Sequence, residues 1–242
     1  MDPKTLPPAV KEALRRHIYG TYLSLRYGMA AIAFAFPLLL YVAGKLNGLP
    51  LQGSMSAYYW ASNGGDPPVR VWFVGGLFAI GSFLYLYKGF TDRENIALNL
   101  AALFAIGVAY FPMSWNCGSD CPNGNLHGTC AFALFACLAY VALFRSRDTL
   151  PALQDPALER RYRNLYSITS ALMLFSPVAA IVLHALFQKY NALTFFLELC
   201  GIYAFALFWL IKSLEMSHSQ AEEQALRGAS GPAEPDNKSG RT

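Results

Sequence analysis

The chain is divided by long stretches in which no residue carries a formal charge. Residues 71–87, 95–119, 121–144 and 164–188 are four of them. Stretches of this length match the roughly 30 Å hydrocarbon core of a bilayer at about 1.5 Å per helical residue. Inside lipid a backbone must satisfy its own hydrogen bonds, so each stretch is expected to be a helix. The ten-residue alternation of an outer-membrane barrel is absent. Composition agrees, with 14% charged residues, 55% hydrophobic residues and a mean hydropathy of +0.30. A soluble domain carries about a quarter charged residues.

The pattern predicts an all-α, polytopic membrane bundle of six transmembrane helices, over residues 25–44, 69–87, 95–113, 126–145, 167–188 and 192–212. Residues 1–24 read as a cytoplasmic amphipathic segment, 25–214 as the transmembrane domain and 215–242 as a disordered cytoplasmic tail. The tail is rich in Ser, Gly, Pro, Gln and charge, which cannot bury a core. In the first segment Val10, Leu14 and Ile18 share a helical face with Lys11, Arg15 and Arg16 beside it. That suits an interfacial helix on anionic lipid, or a soluble lead-in helix. The segment is charged throughout and lacks a small-residue cleavage site, so it does not read as a removable signal peptide.

Basic residues set the orientation. Of the 19 lysines and arginines, only Lys45, Arg70 and Lys189 fall on the face opposite the termini. Both termini are therefore expected in the cytoplasm, in the inner membrane of a bacterium. The net charge of +4 follows from this bias and calls for no nucleic acid.

The outward face then carries the loop WNCGSDCPNGNLHGTC, residues 115–130. In the oxidising periplasm Cys117 and Cys121 can close a small disulfide ring across Gly118, Ser119 and Asp120. The alternatives are a metal site using Cys117, Cys121, His127 and Cys130, or inert thiols. Cys137 and Cys200 read as small apolar packers. Pro37 and Pro177 predict kinks in the first and fifth spans. Gly75 and Ala79 are a small-xxx-small pair that allows close helix approach. Thr91 and Glu94 form a capping box at the start of the third span, and Asn99 reads as interhelical glue. Tyr58, Tyr59 and Trp60 belong at headgroup level, and no Gly-x-Ser-x-Gly elbow frames Ser54 or Ser56.

Ionisable groups inside a bilayer are costly, so each is a candidate functional residue. Glu198 lies in the sixth span and His184 near the outer end of the fifth, across a short connection. His127 stands at the outer rim of the fourth span and Arg70 at that of the second. These four are the candidate ligand-binding residues. Arg70 and His127 are suited to address an anionic headgroup. His127, His184 and Glu198 make a possible zinc set, with water in the open position. His127 and His184 also allow a bis-histidine haem. The bland alternative is that Glu198 is protonated or bonded to His184 while His127 caps a helix.

SMSAYYW, VRVWFVGGLFAIGSFLYLYKG, NLAALFAIGVAYFPMSW, LHGTCAFALF and RDTLP carry a resemblance over roughly Leu23 to Leu214. The chain resembles a widespread family of bacterial and archaeal multi-pass membrane proteins known as a domain of unknown function, which implies topology alone. A more distant similarity is to the membrane hydrolases that include alkaline ceramidases and progestin-type receptors. Those use seven spans, a Ser-x-x-x-His motif, an aspartate and a His-x-x-x-His pair on zinc. Here Trp60 follows four residues after Ser56, and no His-x-x-x-His occurs.

Three functions follow as expectations. The first is binding of a membrane lipid or small hydrophobic ligand at the outer leaflet. The second is a metal-dependent lipid or amide hydrolase. The third is a structural subunit, with a membrane-protein partner or as a homo-oligomer, which Gly75 and Ala79 would suit.

Overall fold

Helix α1 starts at Pro8, with proline at a first-turn position where its missing N–H costs nothing, and runs to Leu46. The computed structural model describes residues 7–114, 126–153, 155–187 and 192–219, without the side chains at 184, 185 and 187. Five more helices follow: α2 (Arg70–Leu86), α3 (Asp92–Tyr110), α4 (Leu126–Tyr140), α5 (Pro156–Phe187) and α6 (Ala192–Ser219). The described residues contain no strand. Four helices are long and apolar enough to cross a membrane: α1, α4 with its continuation to Ala152, α5 and α6. α2 is apolar but shorter, and α3 begins with the charged Asp92, Arg93 and Glu94.

Each helix packs on the next in the chain, and α6 closes the ring on α1. Neighbours alternate in direction. A side chain at Gly28 would meet Phe83 and one at Gly76 would meet Phe36, so α1 and α2 are antiparallel. His127 reaches Phe111 between α4 and α3, Ser170 of α5 reaches Ala139 of α4, and Tyr166 of α5 reaches Glu215 of α6. Phe34 stacks on Tyr203 and Tyr19 meets Ser217, which fixes α1 against α6. The near end of the bundle holds the start of α1 and the end of α6. The far end holds the long α1–α2 connection, with a short 3-10 helix at Ser56–Tyr59.

Helix periodicity explains the packing. On α1 the buried positions Arg26, Met29, Ala30, Ala33, Phe36, Pro37, Leu40 and Gly44 recur every three or four residues. α1 is one continuous helix across residue 24, with its buried positions beginning at Arg26, and α1 and α5 both continue through their prolines. At α3 the capping box forms with a shifted partner. Thr91 Oγ1 accepts from the Glu94 N–H at 3.3 Å, while Glu94 Oε2 accepts from the Phe90 N–H at 2.9 Å.

Two local expectations are corrected, and the fourth span, helical as expected, changes helix type along its length. The fourth span is α-helical only to Tyr140, then becomes a π-helix at Val141–Arg145 and a 3-10 helix at Ser146–Ala152. Asn99 is not interhelical glue through its oxygen, because Oδ1 is buried with no hydrogen-bond partner among the described residues. Gly75 does not mediate helix contact within the chain, since a Cβ placed there meets nothing within 4 Å. The close approach to a neighbouring backbone is instead at Gly81, where a Cβ would lie 3.1 Å from the Ala102 carbonyl oxygen of α3, while Gly76 lies against the Phe36 ring of α1.

Backbone cannot yield as a flexible side chain can, so Gly81→Leu overpacks the α2–α3 contact and costs about 1–3 kcal/mol. Thermal unfolding in detergent is expected to show a lowered midpoint for Gly81→Leu and an unchanged one for Gly75→Leu.

Candidate functional site

Polar side chains gather at both ends of the ring, separated by the apolar stretch of α6 that carries Ala204, Phe205, Phe208 and Trp209. At the far end, both oxygens of Glu198 accept from the Ser54 hydroxyl, at 2.8 and 3.0 Å, and Oε2 also accepts from the Met55 N–H at 2.6 Å. Ser54 Oγ in turn accepts from the Ser56 N–H at 3.2 Å. His127 Nε2 lies 2.9 Å from Ser56 Oγ, and Nδ1 lies 2.8 Å from the Phe111 carbonyl oxygen. A carbonyl only accepts, so Nδ1 carries the hydrogen and Nε2 accepts from the Ser56 hydroxyl. Two helices thus hold one turn of the α1–α2 connection, α6 through Glu198 and α4 through His127.

The same connection is fixed by Trp60 Nε1 donating to the Met113 carbonyl at 2.8 Å and Asn63 Nδ2 donating to the Asn47 carbonyl at 2.9 Å. Tyr58 is fully buried, packed over Gly44 and edge-on to Phe195. Burial pushes its hydroxyl pKa up, which keeps it neutral.

A hydroxyl on an imidazole is the start of a nucleophile–base pair. Acyl transfer also needs donors for the developing oxyanion. On this turn the N–H groups of Met55, Ser56, Ala57 and Tyr58 are already bonded, to Glu198, Ser54 Oγ, the Ser54 carbonyl and the Met55 carbonyl. The pair acts as a clasp.

Arg70 stands apart from the other candidates. Its Nε donates to the Tyr59 carbonyl at 3.0 Å, and the guanidinium lies 4.6 Å from the Tyr59 ring centre and 5.2 Å from that of Trp60. Beside it, a hollow of about 620 Å³ opens between α1 and α2, floored by Ala31, Ala35, Gly75 and Gly76. A second hollow of about 520 Å³ adjoins it, shares Val71 and Gly75, and reaches Arg70.

Of the four candidates, the structure brings His127 and Glu198 together, through Ser54 and Ser56. His184 lies on α5, but its side chain is outside the described residues, as are Cys117 and Cys121. Cys130, Cys137 and Cys200 are free thiols. Among the described residues no three His, Cys, Asp or Glu side chains gather to hold a metal ion.

The near end holds a network that the sequence reading missed. Lys212 and Glu215 of α6 are 2% and 0% exposed, and Lys212 Nζ lies 3.1 Å from Glu215 Oε2. Nζ also donates to Thr149 Oγ1 at 2.7 Å and to the Ser146 carbonyl at 3.5 Å, both on the 3-10 segment after α4. Glu215 Oε2 accepts further from Thr149 at 3.0 Å and Tyr166 at 3.2 Å. Lys212 acts electrostatically on buried Glu94 as well. Nearby on α1, buried Arg26 donates to the Tyr87 hydroxyl at 3.4 Å.

Compared with family models, with curated proteins and with solved structures, the chain matches none.

Removing one partner of a buried ion pair strands the other charge, at a cost of about 3–5 kcal/mol, whereas replacing both by apolar groups is close to neutral. Lys212→Met is expected to lower the unfolding midpoint strongly. The double variant Lys212→Met with Glu215→Leu is expected to recover most of that loss, as read by thermal unfolding in detergent.

Proposed function

We propose that this chain is an inner-membrane protein that crosses the bilayer six times, with both termini cytoplasmic. Its outward half holds a lipid or a small hydrophobic ligand, and its work is binding. The near end is then cytoplasmic and the far end periplasmic. The 17 residues of α2 and 19 of α3 reach about 26 and 28 Å, close to the hydrocarbon thickness of about 30 Å. The charged first turn of α3 would sit at the cytoplasmic boundary, with Lys88 and Arg93 adding to its basic side.

One observation carries the binding reading. The hollow between α1 and α2 is lined by apolar side chains and floored by small residues, and it opens sideways where a spanning bundle meets lipid. The metal-dependent hydrolase has less support. Both oxygens of Glu198 and both ring nitrogens of His127 are engaged with Ser54, Met55, Ser56 and Phe111. A metal would have to break the clasp on the α1–α2 connection to recruit them.

A fluorescent long-chain acyl probe is expected to bind the purified protein saturably. Gly75→Phe, which fills the hollow, weakens that binding roughly tenfold, since excluding two buried methylenes is worth about 1.6 kcal/mol. Added zinc leaves the unfolding midpoint unmoved. Unsaturable probe uptake, unchanged in Gly75→Phe, contradicts the binding reading; stabilisation by stoichiometric zinc that His127→Ala removes supports the hydrolase instead.

A further inference from the structure

We infer that the α1–α2 hollow is the seat of an anionic phospholipid, with Arg70 receiving its phosphodiester and one acyl chain lying over Gly75. The inference rests on the binding reading above and adds the headgroup and the pose.

The first support is the way Arg70 is held. Its Nε is bonded to the Tyr59 carbonyl, and its plane is packed against two aromatic rings at 4.6 and 5.2 Å. Those contacts fix the guanidinium but leave its charge unneutralised, because among the described residues no carboxylate pairs with it. Asp66, four residues earlier, is exposed and makes no ion pair with it. Arginine stays charged under all ordinary conditions, and its outer edge is a planar fork that matches two phosphate oxygens. Tyr59 and Trp60 belong to the class of side chain that settles at headgroup depth. A fixed cation at that depth is complementary to a headgroup of net negative charge.

The second support is the continuity of the hollow with that cation. From Arg70 the lining runs along α2 through Val71, Val74, Gly75 and Phe78. The span from residue 70 to residue 78 is about 12 Å of helix, most of the roughly 15 Å depth of one leaflet. On α1, Leu39, Ala35 and Ala31 cover a similar length. The depression exists because small residues occupy its floor between the bulkier Phe36, Trp72 and Phe78. A polar anchor at one end and a straight apolar trough below it fit one lipid with its chain along the helices. They fit a soluble phosphate compound poorly, since the trough would stay empty.

Native mass spectrometry of the purified, folded protein with equimolar phosphatidylglycerol and phosphatidylcholine of equal chain length tests this. Both lipids offer Arg70 a phosphodiester, but the choline cation of phosphatidylcholine sets a second positive charge beside it, so the wild type is expected to retain phosphatidylglycerol about tenfold over phosphatidylcholine. Arg70→Gln retains both lipids equally, Arg70→Lys keeps only part of the preference, and Gly75→Phe retains about tenfold less of both while keeping its unfolding midpoint. Equal retention by the wild type, or an undiminished preference in Arg70→Gln, overturns the anionic assignment and leaves the lipid seat standing. Retention unaffected by Gly75→Phe overturns the seat itself. A wild-type dimer that Gly75→Phe converts to monomer also overturns it, and makes this face a contact between two copies.

Discussion

Lys212 and Glu215 cannot be hydrated where they sit, and the near end of the bundle is arranged around that constraint. An uncompensated charge in a low-dielectric interior costs several kcal/mol, so the chain must bring partners to both. It does so by departing from α-helix. After Tyr140 the fourth helix widens into a π turn and then tightens into a 3-10 turn, which carries Ser146 and Thr149 inward to Lys212. π segments are rare and are often found at functional sites. Tyr166 from α5 supplies the remaining donor to Glu215 Oε2. The fifth and sixth helices thus meet the α4–α5 connection on one set of charges.

The far end is fixed by different chemistry. There a single turn of the α1–α2 connection is held between the Glu198 carboxylate and the His127 imidazole, with serine hydroxyls as intermediaries. Loops that cover a membrane bundle have little apolar area to hold them, so hydrogen bonds from buried side chains carry more of the burden. With Glu198 and His127 engaged in this way, Arg70 is the candidate among those with described side chains that takes no part in the clasp. Binding at this end is therefore expected at the side of the bundle, between α1 and α2.

Much of the architecture was legible because lipid-scale apolar runs leave few alternatives to helices. The start of α3 could be read from Thr91 and Glu94, since a capping box is a local device. The near-end network was not recognised because Arg26, Lys212 and Glu215 look like ordinary flanking charges beside long apolar runs. A signal was present in the periodicity. Lys212 and Glu215 continue the stripe of Gly201, Phe205 and Phe208, Arg26 continues that of Met29, Ala30 and Ala33, and Glu94 that of Ala97, Leu98 and Ala101. A charge on the buried stripe of a helix is a buried charge. The π turn had no such signal; it precedes the 3-10 segment whose Ser146 and Thr149 meet Lys212. Nor could spacing separate Gly75 from Gly81, as both sit on α2 and only packing decides which faces a neighbour.

A chain that crosses the bilayer six times, as proposed, holds its two polar networks on opposite sides of the membrane. Single cysteines at Gly65 and Lys88, introduced into a chain lacking its five native cysteines, test it with an impermeant thiol reagent on intact cells. Gly65→Cys is expected to be labelled at once, and Lys88→Cys only after the membrane is permeabilised. Immediate labelling of both sites, or of Lys88→Cys alone, would contradict it.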